Sequence, residues 1–436
     1  MTPNVVRRLA GLVIAALIML ALLHGLAPGF PRWPAGLAAW LAGALLIARV
    51  PSGQKLQVAV LIGIGLVALI WALTLGAQPA WLRLLDTNAG LLAMIASVSF
   101  LRLVALPGED SATRLPVGPR AWRRTMLSVA VFGSFINISA PILIADRLAV
   151  DGRLSRFTSQ SITRVFSGCS AYSPFFGGMA MILTYVPQTS LPFVMMAGLP
   201  FALAGIGLVM IEATLRYREP LQTFRGYPLT VSGLWVPAVL AVAVSVAFLM
   251  MPQASVLVII ALSALTVSVV VLIGRFGIRP AARRLHAHVV DGLPGMVGEL
   301  LLFLAAGVLA TGLGELASAG HVTMPMSQFN ATAASLMLAV MLLLSAAGLH
   351  PVISIAAVTP LLTPIDPDPQ LLAVTCLLCW SLGTCASPLS GTHLIFQGRY
   401  GVPSFRAAVW NWPYAALMYG VAVAVLVVVA RIRGIA

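Results

Sequence analysis

Long apolar runs alternate with short polar stretches from one end of the chain to the other. The runs at 9–27, 34–50, 56–75, 87–106, 190–212, 232–250, 254–274, 293–318 and 408–430 have the length of a helix that crosses a hydrocarbon core of about 30 Å. They predict plain transmembrane helices. Three further regions, 126–146, 160–185 and 331–396, are apolar but broken by Gly, Pro, Ser, Thr, Asn and His, as in LGTCASPLSGTHLIF (Leu382–Phe396). An unsatisfied peptide group is costly in hydrocarbon, so non-helical backbone persists there only where protein or a water-filled cavity covers it. These interruptions are where function is expected.

Composition fixes the class. With 60% hydrophobic and 9% charged residues, the chain reads as an all-α polytopic membrane protein of the inner (cytoplasmic) membrane. The net charge of +14 is spread over short loops, so it speaks to topology and not to nucleic acid, which is not an expected partner. All four cysteines (Cys169, Cys376, Cys379, Cys385) lie in apolar segments. No ligand cluster accompanies the pair in CLLC, so they read as helix-packing residues; no cofactor is expected, and no metal beyond a possible sodium ion.

Basic residues then order the spans. Arg7 and Arg8, Arg49 and Lys55, and Arg114, Arg120, Arg123 and Arg124 fall in alternate loops, which places the N-terminus in the cytoplasm. Arg147, Arg153 and Arg156 follow after a single apolar segment, and stay inside only if 126–146 is a re-entrant hairpin. Region 160–185 then crosses outward, and 190–212 returns to Arg216, Arg218 and Arg225. Arg275, Arg279, Arg283 and Arg284 are inside again. Region 331–362 forms a second hairpin, entering from outside, and 371–396 returns inward to Arg399 and Arg406. The expectation is about eleven transmembrane helices plus two re-entrant hairpins, with the C-terminus external.

The interrupted regions resemble one another. SPFFGG (173–178) and SPLSGT (387–392) align without gaps, with Pro174 and Pro388 lying 214 residues apart. Upstream, INISAPI and GLHPVIS supply a second pair of Pro-containing interruptions. The predicted organisation is an N-terminal transmembrane helix (1–33), a first repeat (34–231, hairpin 126–146, broken helix 160–185) and a second (232–436, hairpin 331–362, broken helix 371–396). The topology runs the two broken helices in opposite directions, so the repeats are inverted. That is the plan of secondary transporters, whose substrate and coupling ions bind at the midplane between repeats.

Chemistry at such breaks follows from the exposed backbone. New helix N-termini attract anions, and freed carbonyls with Ser and Thr hydroxyls coordinate a small cation. The expected substrate-binding residues are Asn137, Ser139, Ser170, Ser173, Pro174, His350, Ser387, Pro388, Ser390, Thr392 and His393. The expected ion-binding residues are Gly168, Ser139, Gly383, Thr384, Ser354 and Glu299. Either histidine can hydrogen-bond a carboxylate or carry a proton. Glu299 lies in a span, where a buried carboxylate is a proton or cation site, whereas Glu315 is read as reaching the outer interface. Arg164 is read as snorkelling to the cytoplasmic surface, with pairing of an anionic substrate as the alternative.

On the motifs NISAP, SGCSAYSP, GLHP and GTCASPLSGTH, the chain resembles the ion transporter superfamily. That group includes divalent anion/sodium symporters, anaerobic dicarboxylate carriers, arsenite pumps and the large membrane subunits of tripartite transporters. The resemblance covers most of 34–430 in plan. The symporters carry a Ser-Asn-Thr signature at each hairpin tip; here Asn137-Ile138-Ser139 and His350-Pro351 stand in those places. The resemblance implies a homodimer and an elevator motion of a transport domain against a scaffold.

The functional expectation is a cation-coupled secondary transporter of a small organic anion, a carboxylate or dicarboxylate, with sodium slightly preferred to a proton. An exporter of a toxic oxyanion or weak acid is the alternative within transport. From another class, a polytopic membrane enzyme acting on a lipid-linked substrate would use His350 or His393 as base. The absence of long extramembrane loops and the repeat symmetry argue against an enzyme. A subunit that needs a separate binding protein is a further reading.

Overall fold

The computed structural model describes residues 3–27, 29–104, 116–226, 235–320 and 326–435. Arg114, residues 105–106 of the expected span 87–106, residues 232–234 of the expected span 232–250, and the repeat boundary at 231/232 lie outside the described residues. The described chain is helical, with two isolated bridges, Val117 to Arg225 and Val150 to Arg153.

The first part holds α1 (Pro3–Leu26), α2 (Trp33–Leu46), α3 (Ser52–Thr74), α4 (Leu82–Asp86) and α5 (Ala89–Val98). The first interrupted regions follow as α6 (Pro119–Ile136) and α7 (Ser139–Leu148), then α8 (Arg156–Cys169) and α9 (Gly177–Tyr185). Next come α10 (Leu191–Arg216), the short α11 (Arg218–Gln222), α12 (Trp235–Met250), α13 (Val256–Phe276), α14 (Ile278–Ala287) and α15 (Val297–Ser318). The second interrupted regions are α16 (Ala331–Ala346) and α17 (Pro351–Leu361), then α18 (Pro369–Ala386) and α19 (Gly391–Tyr400). Helix α20 (Ser404–Arg433) ends the chain.

Eight helical segments among the described residues are long and apolar enough to cross a membrane, and four shorter apolar helices accompany them. The chain is thus an all-α polytopic membrane protein. Helix starts are set locally. Ser155, Ser255, Asn330, Asp368 and Ser390 stand just before helical runs, and each accepts a backbone N–H of the first turn, which satisfies a donor the helix cannot.

Burial separates an inner from an outer set. In the segment Pro369–Tyr400, 94% of the most apolar window is buried, against 33% in α1, α3, α10 and α20. Helix α8 is buried along nearly its whole length although its sequence, RFTSQSITRVFSGC, is polar. Such a helix persists at membrane depth because protein surrounds it. Helices α8 and α18 pack against each other at the centre, with α10 and α20 beside them.

Close approach of backbones places the inner helices. A Cβ on Gly312 of α15 would lie 1.9 Å from Gly65 O of α3, and one on Gly198 of α10 would lie 1.6 Å from Ala171 O in the loop after α8. Only glycine fits either contact, as expected where membrane helices meet through small residues.

Candidate functional site

Within the two expected hairpins and the two expected broken helices, helical hydrogen bonding stops at four places: Asn137–Ile138, Ser170–Phe176, Ala347–His350 and Ser387–Ser390. At the first, Asn137 takes a φ of 51°, and at the third Gly348 takes 112°, left-handed conformations that end a helix and turn the chain.

The second and fourth breaks are built alike. Phe175 N donates to Ser173 Oγ at 3.2 Å, and Leu389 N donates to Ser387 Oγ at 3.2 Å. Both new helices begin at aligned glycines, Gly177 and Gly391. The two segments also touch at aligned positions: Ser381 Oγ donates to Ser167 O at 2.7 Å, across 214 residues.

Each break is joined to the turn that precedes it. Ser173 Oγ donates to Ser134 O at the end of α6, and Ser134 Oγ shares a 2.6 Å hydrogen bond with Tyr172 Oη. On the other side, Gly383 of α18 faces Pro351 of α17 so closely that a Cβ would stand 2.6 Å from the proline ring. Trp380 is the joint between the halves. Its ring stacks on Phe303 at 6.1 Å and meets His350 edge-on at 5.6 Å, and the α9 start lies on it at Gly178.

The expected substrate residues divide by what their polar atoms already do. Ser170 Oγ donates to Ser167 O at 2.6 Å, Ser390 Oγ caps α19 by accepting from His393 N, and the Ser173 and Ser387 hydroxyls are held in their turns. Thr392 and Pro388 are buried at the second break, and Pro174 is half-buried at the first. Asn137 and Ser139 sit half-buried at the α6–α7 turn. His350 Nδ1 accepts from Val352 N at 3.2 Å. The proton of the neutral ring therefore sits on Nε2, a donor suited to an anionic oxygen.

Of the expected ion residues, Gly168 and Gly383 are buried and Thr384 Oγ1 donates to Ser381 O. The Ser354 hydroxyl on α17 is buried with no hydrogen-bond partner among the described residues, which leaves it open for a ligand. Glu299 does not join this set. It stands on the first turn of α15, one turn before Phe303, with its side chain at the surface of the helix bundle.

Two expectations are corrected by the packing. Arg164 does not snorkel: it is 4% exposed and forms an ion pair with Glu212 of α10. Its Nε donates to Asn411 Oδ1 at 2.8 Å and its Nη2 to Trp410 O at 3.0 Å, and its guanidinium lies 4.9 Å from the Tyr414 ring centre. His393 offers no free nitrogen to a carboxylate, since Nδ1 meets Ser387 O at 2.8 Å and Nε2 meets Asn411 Nδ2 at 3.3 Å. Sequence reading missed Glu212 and Asn411. Their only local signals are an acid within the last turns of an apolar span and an asparagine in the aromatic run WNWPY.

Among the described residues no group of three or more His, Cys, Asp or Glu stands ready to hold a metal. All four cysteines are buried and unpaired. A cavity of about 400 Å³ lies away from the breaks, between α6, α10 and α11, beside Arg123 and Arg218. A cleft of about 10 Å³ borders Arg164 and Glu212, room for about one water.

No family model and no curated protein matches the chain. Among solved structures it is similar to the YdaH transporter of Alcanivorax borkumensis, a crystal structure of unusual topology. The likeness has a TM-score of 0.52 at 15% identity and covers 85% of this chain and 97% of that one. At that identity the likeness is one of fold.

Proposed function

We propose that the chain is a secondary active transporter that carries a small organic anion, a mono- or dicarboxylate, through a site between the two broken-helix segments. The observation that carries this reading is the contact of Ser381 with Ser167. Equivalent residues of two copies meet only near a twofold axis, and inverted repeats with broken helices are built that way in secondary transporters. The identical Ser-Pro turns support the same symmetry, and so does the fold shared with the YdaH transporter.

The anion preference rests on the donors. The N-termini of α9, α17 and α19 open at the breaks, and His350 adds an N–H donor from Nε2. Coupling to a cation, eleven crossings with two re-entrant hairpins, an elevator motion and a homodimer complete the reading, in line with the resemblance to the ion transporter superfamily. So does an inner-membrane location with the N-terminus inside and the C-terminus outside.

Uptake into proteoliposomes tests it directly, with a panel of radiolabelled mono- and dicarboxylates under imposed sodium and proton gradients. Gradient-dependent accumulation of at least one anion is expected, and His350→Ala should raise its KM. No flux for any anion overturns the reading. Cysteines introduced at Arg153 and Arg156 should label only from the cytoplasmic side; labelling from outside removes the first hairpin.

A further inference from the structure

Arg164, Asn411 and His393 form a chain of polar groups that are 4%, 1% and 0% exposed. They come from α8, α20 and α19 and connect the first broken helix to the backbone of the second. The direction of every hydrogen bond in this chain is forced from both ends. A guanidinium only donates, so the Asn411 face turned to Arg164 is its carbonyl, Oδ1, and the face turned to His393 is its NH₂. The Ser387 carbonyl only accepts, so the His393 proton sits on Nδ1. That leaves Nε2 as a bare lone pair which accepts from Asn411. The arrangement fits one tautomer of the neutral ring and no other form.

We propose that His393 is the protonation site through which a proton gradient drives this protein. The inference rests on the transport reading and names its coupling ion. A proton added to Nε2 turns that atom from acceptor into donor, and the Asn411 Nδ2–H to Nε2 bond is lost. Nδ1–H keeps the Ser387 carbonyl. The new Nε2–H is satisfied when the Asn411 amide turns over and presents Oδ1. Its NH₂ then faces the Arg164 Nε–H, donor against donor, and the Arg164–Asn411 bond breaks. Charging one ring thus undoes the Arg164–Asn411 bond, one of the links between α8 and α20, while the turn at Ser387 and the bonds to the Trp410 carbonyl stay fixed. Glu212 and the Trp410 carbonyl continue to hold the guanidinium, so it is not stranded.

The charged and titratable groups around the ring are few. Arg164 faces it from α8, Glu212 stands behind Arg164 on α10, and Tyr414 and Cys385 approach the same cluster from α20 and α18. On its own helix Arg399 is paired with Asp146 of α7. Of these groups the Arg164 cation is the one linked to the ring, through Asn411, and the ring's own burial opposes a positive charge until the site rearranges. Proton binding and rearrangement of the Arg164–Asn411 contact are coupled for that reason.

The test uses the full-length purified protein labelled with ¹⁵N-histidine, with His393→Gln for assignment. The ring of the wild-type protein is expected as the Nδ1–H tautomer near pH 8. Asn411→Asp offers an acceptor to both neighbours and should keep the ring cationic to a pH at least one unit higher. In proteoliposomes, His393→Gln should lower the ratio of proton-driven accumulation to substrate counterflow at least tenfold. An Nε2–H tautomer, no change in Asn411→Asp, or full proton-driven accumulation in His393→Gln overturns the proposal and leaves transport standing. If no carboxylate moves under any gradient, the transport reading falls, and coupling through His393 falls with it.

Discussion

Both central breaks begin Ser-Pro, and in both the serine hydroxyl accepts the N–H two residues on. What surrounds that shared turn differs. The break after α8 is seven residues long and is wedged from outside: Gly198 of α10 lies against Ala171 O, Ser134 O accepts from Ser173, and Phe176 fills the N-cap position of α9 and packs on Phe166. The break after α18 is four residues long and is held by polar side chains, most of them its own. Ser390 caps α19, His393 returns to Ser387 O, and Trp412 of α20 donates to Ala386 O. One turn is fixed by neighbouring backbone and apolar bulk. The other is fixed by polar side chains that can change their hydrogen bonds, which is the arrangement the proposed proton coupling through His393 would use.

The largest effect that would sharpen this contrast is at the wedge. Gly198→Leu would put a Cβ 1.6 Å from Ala171 O and force the backbones apart, so it should cost about 3 kcal/mol, the upper end for overpacking, and lower the melting temperature in detergent. A Cβ on Gly391 meets nothing within 4 Å, and Gly391→Ala should change stability by less than about 0.5 kcal/mol. Equal effects at the two positions would remove the distinction between an outside wedge and a hold by polar side chains.

Arg164→Met comes next, because it strips the partner from Glu212. Breaking a buried pair typically costs about 3–5 kcal/mol, and since Glu212 keeps 18% of its side chain exposed, the loss should be near the lower figure. Arg164→Met with Glu212→Gln should be more stable than Arg164→Met alone. Additive losses in that double variant would show that the two residues act separately.

The serines give the smaller effects. Ser173→Ala loses a donated and an accepted hydrogen bond and should cost about 1–2 kcal/mol, whereas Ser387→Ala loses one accepted bond and should cost about 0.5–1 kcal/mol. Ser390→Ala removes a helix cap worth about 1 kcal/mol. Chemical denaturation in detergent reads all three. Reversal of the Ser173 and Ser387 ranking would mean that the second break, not the first, depends more on its serine hydroxyl.

The helices themselves were largely legible. The run VLVIIALSALTVSVVVLIGRF is helical from Val256 to Phe276, behind a serine cap, since length, apolar content and caps act over a few residues. Ser-Pro followed by glycine marked the two central breaks for the same local reason. Arg164 was legible as a charge in a span but not as a buried one. Its pairing depends on Glu212, 48 residues away, and on Asn411, 247 residues away, and no local pattern encodes which helices meet. Glu299 was legible as an acid inside a span, and only the packing shows that its side chain lies at the surface of the helix bundle.

By itself the sequence determined that this is a many-helix membrane protein, where its helices start, and that two distant Ser-Pro segments interrupt them. Those properties follow from hydrophobicity and backbone chemistry that neighbours along the chain supply. Only the tertiary structure decided that Ser167 meets Ser381, that His393 has both nitrogens engaged, and that Arg164 is held by Glu212, Asn411 and the Trp410 carbonyl at once. Each needs two or more helices at hydrogen-bond distance, and in a membrane interior that geometry is set by close packing at residues such as Gly198 rather than by the polar groups it brings together.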